Sequence, residues 1–364
     1  MMKKLKLDGV FLISIIVLAI TGFFIFTSAS LGLLARNGPQ FNSIASTQAI
    51  GLILGFICMA VTAHVNYREW RKYAFYIFLA TIFINLLIFI PGLGIEHGGA
   101  KRWLDIGPIS FQPSELLKIG FIIYFAAWLS GIKEKISQFR YGLLPLLIIV
   151  AILGPILYLQ TDTKTIVIVF ISGIAMLLVG GAKWKDIIIL GLVSLVALSA
   201  VAYSRPYIRD RLETFINPAL NPQGSGYQIQ QSLIAIGSGQ MFGRGFGQSV
   251  QKFNFLPEPV GDSIFAVQAE EFGFVGSLSL VGLFLFFAFR ALKIASRSAD
   301  QFGGLLVVGI VILVISESFM NIASMLGVIP LSGMPLLFVS HGGTALLLVL
   351  AEVGIILNVS KYQK

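Results

Sequence analysis

The chain has 364 residues, 56% of them hydrophobic and only 12% charged, with a formal net charge of +9. A soluble globular domain carries about 25% charge, so the composition excludes one and points to a polytopic membrane protein. The positive charge marks cytoplasmic loops, because no arginine-rich arm or basic run interleaved with aromatics suits nucleic acid. A single cysteine, Cys58, excludes a disulfide framework, Cys/His zinc spacing and haem attachment.

The opening MMKKLKLDGVFLISIIVLAITGFFIFTSAS imitates a secretory signal. Its apolar run is nearer 20 residues than the roughly 7–15 of a signal core, so it reads as a retained first span. Runs long enough to cross about 30 Å of hydrocarbon follow one another at 8–28, 46–66, 74–92, 114–131, 143–160, 165–182, 187–204, 264–289, 303–324 and 342–359. That gives ten spans, the fifth and sixth parted only by TDTKT.

Lys and Arg fix the orientation. With the N-terminus inside, 16 of the 26 fall on the cytoplasmic side, and most of those outside sit in one long segment that counts little. Both termini are then cytoplasmic. The stretches richest in Gly, Pro and polar residues, 93–115, 205–263 and 325–343, all lie outside. The cytoplasmic loops are short and carry no nucleotide-binding pattern, so the chemistry expected is extracytoplasmic and independent of ATP.

Residues 205–263, between the seventh and eighth spans, are long for a structureless loop. YQIQQSLIAI is amphipathic, with Ile229, Leu233, Ile234 and Ile236 as its apolar positions, so short helices at the membrane surface are expected. GRGFGQ (Gly243, Gly245, Gly247) half-resembles a phosphate loop but lacks the strand and helix of a dinucleotide fingerprint. Flexible turns are the expectation there.

Four stretches, GGAKRWLDIGPISFQPSELLKI (98–119), GYQIQQSLIAIGSG (226–239), GFGQSVQKFNFLPEPVGDSIFAVQAEEFGFVG (245–276) and GVIPLSGMPLLFVSHGGTALL (327–347), resemble the SEDS proteins. These are the shape, elongation, division and sporulation family of bacterial peptidoglycan glycosyltransferases. The resemblance covers nearly the whole chain in order and spacing. GQSVQKFNFLPE looks more like the division type (FtsW) than the elongation type (RodA).

The resemblance implies one integral membrane domain over 1–364 that polymerises lipid II into glycan strands at the outer face of the bacterial inner membrane. It also implies a class B penicillin-binding protein as transpeptidase partner, other divisome or elongasome proteins, and a place at the division septum. The family's essential acid falls on Asp262. Gly261 stands here for a frequent Thr, and Ser263 for a frequent Phe.

Forming a glycosidic bond requires deprotonating a sugar hydroxyl, which suits a partly desolvated carboxylate. Asp262, just before the eighth span, is the candidate base; it could also cap that helix. Glu270 and Glu271 lie two turns further. One helix cannot aim adjacent residues at the same neighbour, so one is expected to face a cavity and a buried ion pair is favoured.

The substrate-binding set expected is Lys101, Arg102, Glu115, Lys118, Asp162, Gln231, Lys252, Glu258 and Ser340. Lys101 and Arg102 are cations suited to a pyrophosphate. Glu115 and Lys118 share a helical face, with Glu115 or Asp162 as partner for the intramembrane Lys. The family shows Pro-Asp-x-Gly-Thr where this chain has Thr161-Asp162-Thr163-Lys164-Thr165, so Lys164 could pair with Asp162. His341 stands where the family has Tyr and is expected to shape the pocket. Glu317 and Glu352 are assigned to packing between helices.

A divalent cation, Mg²⁺ or Mn²⁺, would neutralise the pyrophosphate leaving group, held by one or two carboxylates and the substrate phosphates; no dedicated metal motif is visible. The alternative function is a lipid II flippase. A carrier usually shows internal repeats and mid-membrane helix breaks, whereas the polar material here is concentrated on one face.

Overall fold

A computed structural model describes residues 7–36, 38–97, 100–106, 109–204, 206–218 and 224–363. Lys3, Lys4, Lys6, Arg205 and Lys364 of the orientation argument, and residues 219–223 of the long loop, lie outside them. In chain order the helices are α1 (Gly9–Arg36), α2 (Gly38–His64), α3 (Tyr67–Leu86), α4 (Pro113–Ile132), α5 (Leu143–Leu159), α6 (Thr163–Gly180), α7 (Trp184–Ser204), α8 (Pro206–Ile216), α9 (Ser225–Ser238), α10 (Ile264–Ser296), α11 (Gln301–Met325) and α12 (Gly343–Ser360).

Ten of these helices fall on the ten expected spans, and α8 and α9 are the surface helices expected in the long loop. Among the described residues, eight helices are both long and apolar enough to cross a membrane, and α5 is a shorter apolar helix. Hydrocarbon cannot hydrogen-bond a peptide group, which is why such runs fold as helices. α1 and α2 run longer than their apolar cores and leave little loop between them.

One layer of structure was not expected. Residues 93–111 contain a three-stranded antiparallel sheet in order β1 (Gly94–His97), β2 (Ala100–Ile106), β3 (Ile109–Phe111). Glu96 faces Lys101 and Leu104 faces Phe111 across its ladders.

The centre of the bundle is built by α4, α10, α11 and α12. Phe121, Phe284, Ile310, Val314 and Leu350 are fully buried there, each contributing about 1.5–3 kcal/mol of apolar transfer where water is the reference. Side-chain hydrogen bonds tie helices across lipid depth, as where Thr62 on α2 donates to the Ala351 carbonyl of α12 at 2.8 Å.

Polar contacts sort to the two ends of the bundle. At the inner end Arg290 pairs with Asp8 at 2.8 Å, the Asp8 amide donates to Ser360, and the Tyr67 hydroxyl donates to Asp300. Both described ends of the chain therefore share one face with the loops before α3 and α11. The opposite end carries the sheet, the α5–α6 turn, the segment before α10 and the segment before α12. All the candidate site residues lie there or directly beneath.

Candidate functional site at the outer face

Asp262 does not cap its helix. Ser263 holds the N-cap position of α10, without a side-chain cap bond, and Ile264 is the first helical residue. The Asp262 carboxylate is thus not occupied by helix amides. Its backbone is held from three sides instead. Asn321 of α11 donates to the Asp262 carbonyl at 2.7 Å and to the Met334 carbonyl at 2.6 Å. Ser340 Oγ donates to the Gly261 carbonyl at 2.8 Å, and the His341 amide to the Val260 carbonyl at 2.7 Å. The segment before α12 is therefore a splint against residues 260–262, and Ser340 acts through backbone rather than toward open space.

The carboxylate itself is half-buried beside Gly333, whose positive φ of 63° bends the splint around it. A Cβ at Gly333 would stand 3.5 Å from both Asp262 Oδ2 and Arg211 Nη2, so acid and guanidinium flank one backbone position. Burial raises the Asp262 carboxyl above the ordinary carboxylate range, and the Lys164, Arg211 and Arg102 cations hold it partly down.

Each of those cations is anchored by a backbone carbonyl. Lys164 Nζ donates to the Gly333 carbonyl at 2.5 Å, Arg211 Nη1 to the Leu331 carbonyl, and Arg102 Nη2 to the Thr161 carbonyl at 2.5 Å. Lys164 therefore does not form the expected direct pair with Asp162; it reaches across to the splint. Lys164 and Arg211 were absent from the expected site set. The signal for Lys164 was its departure from the family's Gly; nothing local marked Arg211, which α8 brings in from a distant stretch.

Asp162 is fully buried at the N-cap of α6. Ser114 Oγ and Thr165 Oγ1 donate to its Oδ2 at 2.7 and 2.8 Å. Burial would raise its carboxyl, but Lys164, the Ser114 bond and Arg102 outweigh burial and hold it low. It fixes the α5–α6 turn that carries Lys164.

The other expected site residues fall elsewhere. Lys118 is buried within the span, 2.9 Å from Glu115 Oε2 and in a tighter bond to Glu317 of α11. The triad joins α4 to α11, and Asp162 takes no part in it. Glu352 is buried on α12 with Oε2 unpartnered among the described residues. Lys101 is exposed, 3.9 Å from Glu96 across the β1–β2 ladder. Gln231 is half-buried on α9, and Glu258, exposed with φ 47°, turns the chain so that its carbonyl accepts from the Gly261 and Ser263 amides.

Lys252 differs most from expectation. Its side chain is fully buried and its Nζ lies 2.7 Å from Glu271 Oε1, so no substrate group can reach it. Ser28 Oγ donates to the other Glu271 oxygen at 2.5 Å. Glu270 accepts from Ser249 Oγ and from the amides of Val250 and Gln251, at 2.6–3.2 Å, with Arg244 Nε at 3.4 Å. Both adjacent acids thus bind one loop, contrary to the expectation that only one could. A break in the helix makes this possible: Gly273 has φ 65° and ψ −164°.

The loop glycines are not flexible turns. Gly243 has φ 80°, and a Cβ there would collide with the Glu271 carbonyl. The Arg244 and Gly245 amides donate to the Glu270 and Glu271 carbonyls, and the Phe274 amide to the Gln240 carbonyl, so the loop supplies the hydrogen bonds that the broken helix lacks.

The α9 helix buries Ile229, Ser232 and Ala235, leaving Leu233 and Ile234 on its outer face. His341 stacks on Phe26, its ring kept below its ordinary pKa by burial. Among the described residues no three metal-ligating side chains converge, and three cations bear on Asp262.

Fold and site define a polytopic helical membrane protein with a splinted acid and anchored cations at one face. The chain belongs to the FtsW/RodA/SpoVE family: the family model, described as cell cycle protein, matches residues 9–364. It is 36% identical over 353 residues to a probable peptidoglycan glycosyltransferase FtsW of Geobacter sp. strain M18, covering 97% of this chain and 96% of that one. It is 38% identical over 320 residues to stage V sporulation protein E of Bacillus subtilis, covering 88% and 87%. Thermus thermophilus RodA superposes with TM-score 0.72 at 25% identity, covering 98% of each chain. A chain from a study of polymerisation and crosslinking by a peptidoglycan synthase complex shares the fold, with TM-score 0.80 at 24% identity and 98% and 99% coverage.

Proposed function

We propose that this protein is a peptidoglycan glycosyltransferase polymerising lipid II at the outer face of the membrane, with Asp262 as the general base. The observation that carries the assignment of the base is the Asp262 carboxylate: splinted through its backbone, flanked by cations, and bound to no helix amide.

Position suits the substrate. Asp262 lies just before the outer end of α10, and Arg290, paired with Asp8, lies toward its inner end. The acid thus stands at the outer end of the bundle, the side on which a polyprenyl pyrophosphate emerges. Asp262 accepts the proton of the attacking sugar hydroxyl as the new C–O bond forms at the anomeric carbon. The bond from that carbon to the pyrophosphate breaks, and Lys164, Arg211 and Arg102 offset the charge left on the lipid pyrophosphate. A divalent cation would enter with the substrate phosphates and neutralise them; it is a substrate-side requirement in this reading.

The resemblance to division-type sequences, and the FtsW name of one relative, support a division role at the septum with a class B penicillin-binding protein as crosslinking partner. The test is labelled lipid II with purified protein, with and without that transpeptidase, for wild type and Asp262→Asn. Polymer from wild type alone supports the reading; equal polymer from both removes Asp262 as base.

A further inference from the structure

The loop between α9 and α10 presents a surface that the proposed chemistry does not use. Met241, Phe242 and Phe246 are 55%, 81% and 50% exposed, although five or more polar contacts pin the same loop to α10. Large apolar side chains held outward by a rigid backbone indicate an apolar environment, not a flexible excursion.

Depth identifies that environment. Arg290, paired with Asp8, marks the inner boundary of the hydrocarbon. Gly273 stands 17 residues above it, about 25 Å, and so lies inside the roughly 30 Å of hydrocarbon. The Gln240 and Met241 carbonyls accept from the Phe274 and Val275 amides, which places the loop tip at that same depth. The exposed face continues into Phe274 and Leu278 of α10, 58% and 59% exposed on a helix that spans the bilayer. Beneath Phe246 an apolar groove of about 420 Å³ opens between α1 and α10, lined by Phe24, Ile25, Phe272 and Leu283.

We infer that Met241, Phe242 and Phe246 insert into the outer leaflet, with lipid acyl chains as the covering partner. Irregular backbone is tolerated at that depth only when protein satisfies its polar groups, and the broken α10 does so. Arg244, 43% exposed, has its charge countered at that depth by the buried Glu270 at 3.4 Å. The loop thereby anchors the strand of chain that leads to Asp262 against the bilayer rather than leaving it above it. The inference stands on packing and depth and is independent of the proposed activity.

The test uses full-length protein in lipid vesicles, with Cys58→Ser as background and a fluorophore at Phe242→Cys or, separately, Phe246→Cys. Glu96→Cys on the exposed hairpin and Leu278→Cys on the span are the aqueous and lipid references. Nitroxide on the acyl chains should quench positions 242 and 246 like position 278, roughly two-fold or more above position 96, with iodide giving the reverse order. Strong iodide quenching at 242 and 246 would overturn the inference. Protection of both positions from both quenchers would also overturn it, by showing that protein covers the loop. Two labelled positions with matched melting curves guard against one variant misfolding.

Discussion

Within ten residues the chain places three carboxylates and gives them two fates. Glu270 and Glu271 are buried, and their oxygens are taken up by Lys252, Ser28, Ser249, Arg244 and loop amides. Asp262 has its backbone clamped and its carboxylate half-buried, with three cations near it. The first pair behaves as a rivet: each partner removes the cost of burying the other. The second acid is held in place without being neutralised by a single partner, which is what proton transfer requires. Charge type and position along the helix do not separate these roles; what the oxygens already bind does.

The largest expected effect breaks the comparison at its active end. Asp262→Asn should lower the polymerisation rate by about 10²–10⁴ while leaving the unfolding midpoint nearly unchanged, read from product gels and thermal scans on the same preparation. At the structural end, Lys252→Met leaves Glu271 buried without its counter-ion. The expected loss is about 3–5 kcal/mol of stability, measured by denaturant unfolding in detergent, with activity falling only as far as the folded fraction falls.

Gly243→Ala forces a side chain into a conformation with φ 80° and against the Glu271 carbonyl. It should cost on the order of 1–3 kcal/mol, and a match to wild-type unfolding would show that the loop does not hold the helix break. A pH profile sharpens the other end. Burial raises the Asp262 carboxyl, so the rate should climb with pH through a midpoint above the ordinary value of about 3.9. Lys164→Met removes a cation that favours the ionised form, and the midpoint should move further up; a downward move would contradict the arrangement. Smallest of all, Lys101→Ala disturbs only an exposed pair 3.9 Å apart and should change stability by less than about 1 kcal/mol.

The spans and their order were legible because hydrocarbon imposes one solution on long apolar runs. Asp262 was legible as a candidate only through the family resemblance of residues 245–276, and the helix α9 through the amphipathic YQIQQSLIAI. The remainder depended on contacts between distant stretches. Arg211 reaches the acid because α8 folds back, 51 residues ahead of it in the chain, and no local pattern announces that. Lys252 was counted among the substrate-binding cations, yet Ser28 and Glu271 close around it from α1 and α10. The pairing of both Glu270 and Glu271 with one loop depended on the break at Gly273, which periodicity treats as one more helical residue. The sheet at 94–111 escaped notice because its strands are short and interrupted by Gly and Pro.

The most direct measurement sets the two fates side by side: initial rate of lipid II polymerisation and unfolding midpoint, for Asp262→Asn and Glu271→Gln in the same membrane mimetic. The account predicts a crossed result. Asp262→Asn should lose the rate and keep the midpoint, whereas Glu271→Gln should lose the midpoint and keep its rate per folded molecule. Full polymerisation by folded Asp262→Asn, or abolished polymerisation by fully stable Glu271→Gln, would contradict it.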